Sequence, residues 1–132
     1  AAETVIEMRE KYQNIKLVMY LPCYGQSKMW KESEQFRYRM VLSKADKIIY
    51  ITESVYTDDC MKLRNLKMIK DSSFCIAFCL MQKSGTGFTL RNAENVGISS
   101  FVPYLHTDIV FAKIYYIYVT FLDHFSYFSR EY

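Results

Sequence analysis

Phe74-Cys75-Ile76-Ala77-Phe78-Cys79-Leu80-Met81, followed by Gln82-Lys83-Ser84-Gly85-Thr86-Gly87, is the stretch whose reading decides the fold. Its first eight residues carry no charge and read as the third and strongest strand of the chain. Gly and Ser punctuate residues 84 to 87, Thr89 to Asn95 has helical spacing, and Gly97 suits a C-terminal cap. Ile98 to Val102 is then a last short strand.

The same alternation extends toward the N-terminus. Asp59 to Lys70 has helical spacing through Met61, Leu63, Leu66 and Met68, and Lys47 to Thr52 contains the apolar strand Ile48-Ile49-Tyr50-Ile51. Lys31 to Ser43 is an amphipathic helix through Phe36, Met40 and Val41, closed by Ala45-Asp46. Ile15 to Leu21 is a strand ended by Pro22, and Val5, Ile6, Met8 and Tyr12 mark a helix stopped by Gln13-Asn14. The order α-β-α-β-α-β-α-β predicts right-handed crossovers and a mostly parallel sheet of about four strands, covered by helices on both faces in a three-layer α/β sandwich.

With 132 residues, 51% of them hydrophobic and 17% aromatic, the chain is long and apolar enough for one buried core. The net charge of +3 comes from Lys and Arg interleaved with Asp and Glu, so no nucleic-acid partner is expected. Cys23, Cys60, Cys75 and Cys79 lack the paired short spacings of zinc sites, and no secretory segment is visible; a reduced, cytoplasmic protein without a metal is expected. Residues 104–132 form an aromatic extension whose apolar run, Ile109 to Leu122, is too short to cross a bilayer. A helix packed on the domain or on a second copy in a homo-oligomer is expected there, with a strand, or a partner or membrane-surface contact, as alternatives.

Parallel α/β sheets bind ligands beyond the carboxyl ends of their strands, where helix N-termini attract anions. Three loops hold that position: residues 22 to 26, 52 to 59 and 83 to 87. In the third, small residues let backbone amides approach a phosphate, while Lys83 and a hydroxyl add charge and a donor. A glycine turn without any ligand is the plain alternative. Arg64 is read either as a fork for phosphate or carboxylate oxygens or as a solvated surface cation. Trp30 packs or walls a pocket. His106 and His124 lie away from these loops and are not candidates for a base or a metal ligand.

Leu21-Pro22-Cys23-x-Gly25-Gln26, Trp30, Ala45-Asp46, Cys60-Met61, Arg64-Asn65-x-x-Met68, Ser72-Ser73 and Gly85-Thr86, in that order, resemble the YpsA-like branch of the SLOG superfamily. The resemblance covers about residues 1 to 102, taken as a partial domain 1–103 followed by the extension 104–132. It implies a Rossmann-like fold and a nucleotide or nucleotide-derived ligand. The site residues it implies are Pro22, Cys23, Gly25, Arg64, Asn65, Ser84, Gly85, Thr86, Gly87 and Thr89. Ser84 stands where the family pattern has a first glycine, and Lys70 where an acidic residue is usual. The family's opening Gly-His-Arg and Gly-x-Asp segments are not found, so the chain is expected to begin inside the family domain. Related hydrolases of the cytokinin-activating type carry an Arg motif, which Arg64 would match, and a catalytic Glu where this chain has Thr89. A neutral hydroxyl cannot stabilise a developing oxocarbenium-like centre as a carboxylate does. The expectation is therefore a non-catalytic binding module with no assignable cofactor. The alternatives are a nucleoside-monophosphate N-glycosidic or phosphate-bond hydrolase, and a protein-interaction module with a vestigial crevice.

Overall fold

Helices and strands alternate along the chain in the computed structural model, which describes residues 2–102 apart from 54, 55, 58, 78 and 80. The elements are α1 (Ala2–Lys11), β1 (Val18–Leu21), α2 (Glu32–Ser43), β2 (Lys47–Tyr50), α3 (Cys60–Lys70), β3 (Phe74–Ile76), α4 (Gly85–Asn95) and β4 (Ser99–Phe101). This is the predicted order, in a mixed α/β chain with short parallel strands consistent with a Rossmann-like fold. Among the described residues the strands pair as two separate parallel ladders, β1 with β2 and β3 with β4. The aromatic extension, with His106 and His124, lies outside the described residues.

The chain divides into two compact units, one up to Met68 and one from Ile69 onward. In the first unit, β1 and β2 run in register from Val18 against Lys47 to Leu21 against Tyr50. The pairing continues past the strand ends, where the Ile51 amide donates to the Leu21 carbonyl and the Thr52 amide to the Pro22 carbonyl. Asp46 ties the start of this ladder to α1. Its carboxylate accepts from the Leu17 amide at 2.6 Å and from the Arg9 guanidinium, which also donates to the Lys44 carbonyl at 2.8 Å. Arg37 on α2 forks onto Glu3 on α1, and that bond holds the Glu3 carboxyl below its ordinary value.

Two helices turn a different face inward from the one their apolar residues predict. On α2, Phe36 and Met40 are 60% and 44% exposed, while Tyr38, Val41 and Leu42 are half-buried. On α3, Leu63 and Leu66 are exposed, and the inward face carries Cys60, Arg64, Asn65, Met68 and Ile69. Residues three and four apart share a helix face, so turning Cys60 inward brings Arg64 with it, and turning Met68 and Ile69 inward brings Asn65.

In the second unit, Ile69, Cys75, Ala77 and Ala93 form the core, with Leu90 and Ile98 packed against it. Helix α4 starts four residues earlier than its apolar spacing predicts, because Ser84 caps it. Its other end is a Schellman turn: Gly97, at φ +76°, donates to the Glu94 carbonyl, and Ile98 donates to the Ala93 carbonyl. This bears out the cap expected at Gly97. Strand β3 ends at Ile76 rather than reaching Met81, so Cys79 lies outside it and is half-buried, while Cys75 is buried. No helix among the described residues is long and apolar enough to cross a membrane.

Candidate functional site

The sequence-predicted residues fall into two clusters, each within one unit. In the first unit, the chain leaves β1 through Pro22 and Cys23, whose side chains are fully buried. The Pro22 carbonyl accepts from both the Thr52 amide, at 3.2 Å, and the Thr52 hydroxyl, at 3.0 Å. Loops predicted to lie side by side at the strand ends are thereby pinned together. Cys23 meets the buried Cys60 at the start of α3, and burial, reinforced by Cys60, pushes the Cys23 thiol up. The Cys23 sulfur is thus kept as a neutral, packed thiol. Gly25, at φ +69°, reverses the chain immediately afterward, a conformation that favours glycine. Of this loop, Tyr24 and Gly25 are the exposed members.

Arg64, one turn along α3 from Cys60, is half-buried, and its Nε donates to Asn65 Oδ1 at 2.9 Å. Asn65 is 3% exposed. Burial pulls the Arg64 guanidinium below its ordinary value, opposed by Cys60. Even so, a guanidinium stays charged at any physiological pH. Among the described residues, no hydrogen bond is made by its two terminal nitrogens, so both remain as donors.

The second cluster is the start of α4. Ser84 donates its hydroxyl proton to the Met81 carbonyl at 2.5 Å and accepts from the Gly87 amide at 3.1 Å. Arg91 reaches back to the Gln82 carbonyl at 2.6 Å, fixing the same turn. A capped helix begins with amides that lack intrahelical acceptors. Here the Ser84 hydroxyl takes the Gly87 amide and the Ser84 carbonyl takes that of Phe88, at 2.9 Å. Among the described residues, the Gly85 and Thr86 amides have no partner.

The two helical glycines serve different ends. A Cβ on Gly87 would stand 2.1 Å from the Gln82 carbonyl oxygen, whereas one on Gly85 would meet nothing within 4 Å. Gly87 is therefore glycine for packing, and the space over Gly85 is open. Thr86 and Thr89 are buried, and the Thr89 hydroxyl donates to the Gly85 carbonyl at 2.9 Å. No group of three or more His, Cys, Asp and Glu side chains that could hold a metal occurs among the described residues.

Sequence reasoning missed a third feature, a stack of Tyr24 on Tyr50 with ring centroids 3.9 Å apart and planes 17° from parallel. The signal available was a tyrosine beside a turn-forming glycine after one strand and another ending the next. Trp30 packs edge-on against Tyr38 at 5.3 Å, and the Tyr38 hydroxyl accepts from Gln26 Nε2.

These features define an α/β chain in which Pro22, Cys23 and Gly25 follow a parallel strand, while Arg64, Asn65, Gly85 and Thr86 lie on the helices that come after such strands. Residues 1–100 match the sequence model of the YspA SLOG family, and the chain belongs to that family. Over 99 residues it is 34% identical to a UPF0398 protein of Bacillus cereus strain B4264, covering 74% of this chain and 54% of the relative. Over 87 residues it is 33% identical to a UPF0398 protein of Bacillus thuringiensis strain Al Hakam, covering 65% of this chain and 47% of the relative. The chain spans about half the length of the curated relatives it matches.

Proposed function

We propose that this chain binds a nucleotide or nucleotide-derived ligand through an anionic group received by the Gly85 and Thr86 amides, without catalysing a reaction on it. The observation that carries the reading is the arrangement at the start of α4, where the Ser84 cap leaves those two amides without partners among the described residues and the space beside Gly85 is open. Adjacent free amides at a helix N-terminus, supported by the positive end of the helix dipole, are suited to phosphate oxygens. Exposed Lys83 adds charge at the edge. The non-catalytic part rests on Thr89, whose hydroxyl is directed to the Gly85 carbonyl in the place where related hydrolases carry a carboxylate.

Arg64 and Asn65 are a proposal for the first unit by itself. The Asn65 side chain orients the guanidinium, leaving two terminal donors for a phosphate or ribose oxygen. Cys23 and Gly25 would then act through backbone groups, since the Cys23 side chain is buried, while Pro22, whose carbonyl is taken up by Thr52, would shape the loop. A cytoplasmic location and self-association through residues 104–132 are likewise proposals, the latter tested by the mass in solution before and after removing those residues.

Amide chemical shifts of the whole chain, followed during titration with inorganic phosphate, AMP and a dinucleotide, test the main reading. Saturable movement of the Gly85 and Thr86 amides supports it, and unmoved amides at millimolar ligand reject it. Release of free base from AMP, lost in Arg64→Ala, would favour the hydrolase class instead.

A further inference from the structure

We infer that Tyr24, backed by Tyr50, is a stacking platform for the planar heterocyclic base of a nucleotide-type ligand. The inference rests on the reading that the ligand is of nucleotide type, and it concerns a surface of the first unit by itself. Tyr50 is the last residue of β2 and pairs with Leu21 at the end of β1, while Tyr24 lies three residues beyond Leu21. The stack therefore stands at the carboxyl ends of two parallel neighbouring strands, where open α/β sheets take their ligands.

Its geometry is unlike ordinary aromatic packing. Aromatic pairs prefer offset or edge-on arrangements with centroids about 4.5–7 Å apart. Here the rings are nearly cofacial at 3.9 Å. Tyr24 is 51% exposed although one face lies against Tyr50, so solvent reaches the opposite face. An aromatic ring laid flat and open at a strand end suits a purine or another planar heterocycle, because every base has a π-face to offer.

The platform is also held in place before any ligand arrives. Tyr50 belongs to the β ladder, and Thr52 fixes the Pro22 carbonyl two residues ahead of Tyr24. Gly25 turns the chain directly after Tyr24, and Gln26 anchors the far side of the turn on the Tyr38 hydroxyl at 3.0 Å. A preorganised aromatic surface loses little freedom on binding, which favours its use as a contact.

The test compares ligands with and without a base on the whole chain: adenosine, AMP, ribose 5-phosphate and inorganic phosphate, read by tyrosine ring resonances and by calorimetry. Adenosine and AMP are expected to shift the Tyr24 ring signals. Tyr24→Leu should weaken both by at least about five-fold, the low end of base–aromatic stacking, and leave the two base-free ligands unchanged. Tyr24→Phe keeps the ring and should retain binding. Equal affinity of adenosine and AMP for the parent and Tyr24→Leu overturns the platform, as does failure of either ligand to move the Tyr24 ring. Adenosine binding at Tyr24 with unmoved Gly85 and Thr86 amides under phosphate would reject the anion site alone, and phosphate binding without adenosine binding would reject the platform alone.

Discussion

Replacing Gly87 with alanine is the sharpest test of how α4 is built. The added Cβ would lie 2.1 Å from the Gln82 carbonyl oxygen, 2.7 Å from its carbon and 3.0 Å from its Cα, all of them backbone atoms. Ordinary contact begins at 3.4 Å, so the turn or the helix must yield by more than an ångström. Neither yields freely. The Gln82 carbonyl is held by Arg91, and the Gly87 amide by the Ser84 hydroxyl that caps the helix. Forced overpacking costs about 1–3 kcal/mol, and loss of an N-cap adds about 0.5–2 kcal/mol. Against this, alanine is favoured over glycine in a helix by about 1 kcal/mol. The net expectation for Gly87→Ala is a loss of roughly 0.5–4 kcal/mol, from those three terms. Urea unfolding followed by circular dichroism measures it, and amide exchange should show the protection lost first at the start of α4. A midpoint equal to or above the parent's, at an unchanged slope, would refute the reasoning.

Gly85→Ala is the companion change with the opposite expectation. Its Cβ meets nothing within 4 Å, so stability should hold or rise by about 0.4–1 kcal/mol, while phosphate binding weakens because a methyl enters the space beside the free amides; denaturation and phosphate titration on the same sample check both. Asp46→Ala removes the acceptor of the Leu17 amide and of Arg9 together, and a drop in unfolding free energy of about 1.5–3 kcal/mol is expected for losing a charged acceptor. Glu3 has its carboxyl lowered from 4.5 by Arg37, so the stability it contributes is present above that ordinary value and is lost as pH falls through the depressed one; Glu3→Gln should flatten the acid limb of a stability–pH curve in that window. The buried Cys75 thiol is raised from 9.0, so the folded state holds its proton more tightly than the unfolded state. Its contribution is full below pH 9.0 and is lost as pH rises through the folded value, and Cys75→Ala should reduce the alkaline fall in stability.

The order of elements was legible because each segment keeps its own period between clear breakers, such as Pro22 and Asn14. The cap at Gly97 was legible as well, since a left-handed position after a helix selects glycine. What the periodicity could not give was the start of α4. Gly85 and Gly87 read as loop residues on propensity, yet Ser84 supplies the cap and the close approach of Gln82 excludes a side chain at Gly87. The same limit applies to α2 and α3, where apolar residues occur on more than one face and spacing alone does not say which is buried. Phe36 and Met40 on α2, and Leu63 and Leu66 on α3, are the outcome. The tyrosine stack was illegible for a further reason: Tyr24 and Tyr50 are 26 positions apart, and their meeting depends on the register of β1 against β2.

The inward face of α3 bears most directly on function. Turning this helix by about half a revolution would bury Leu63 and Leu66 and release Arg64 and Asn65 to water, and hydrophobic burial favours that arrangement by about 1.5–3 kcal/mol for each leucine fully buried. The chain does the reverse, burying an asparagine almost completely and placing half-buried beside it a guanidinium whose terminal nitrogens have no hydrogen-bond partner among the described residues. Cys60, Met68 and Ile69 share the inward face, so part of its orientation is set by packing. Packing accounts for those three positions, however, and would be met equally well by an apolar residue at 64. Local rules broken without structural compensation tend to mark functional positions. Arg64→Met, which keeps the length and apolar stem of the side chain, separates the two explanations. If the arginine serves only the fold, the variant, which removes the Arg64 donor from the buried Asn65 Oδ1, should lose stability and bind anions like the parent; if the guanidinium serves a ligand, affinity for phosphate-bearing ligands should fall about ten-fold or more, the loss expected for a charge-assisted contact.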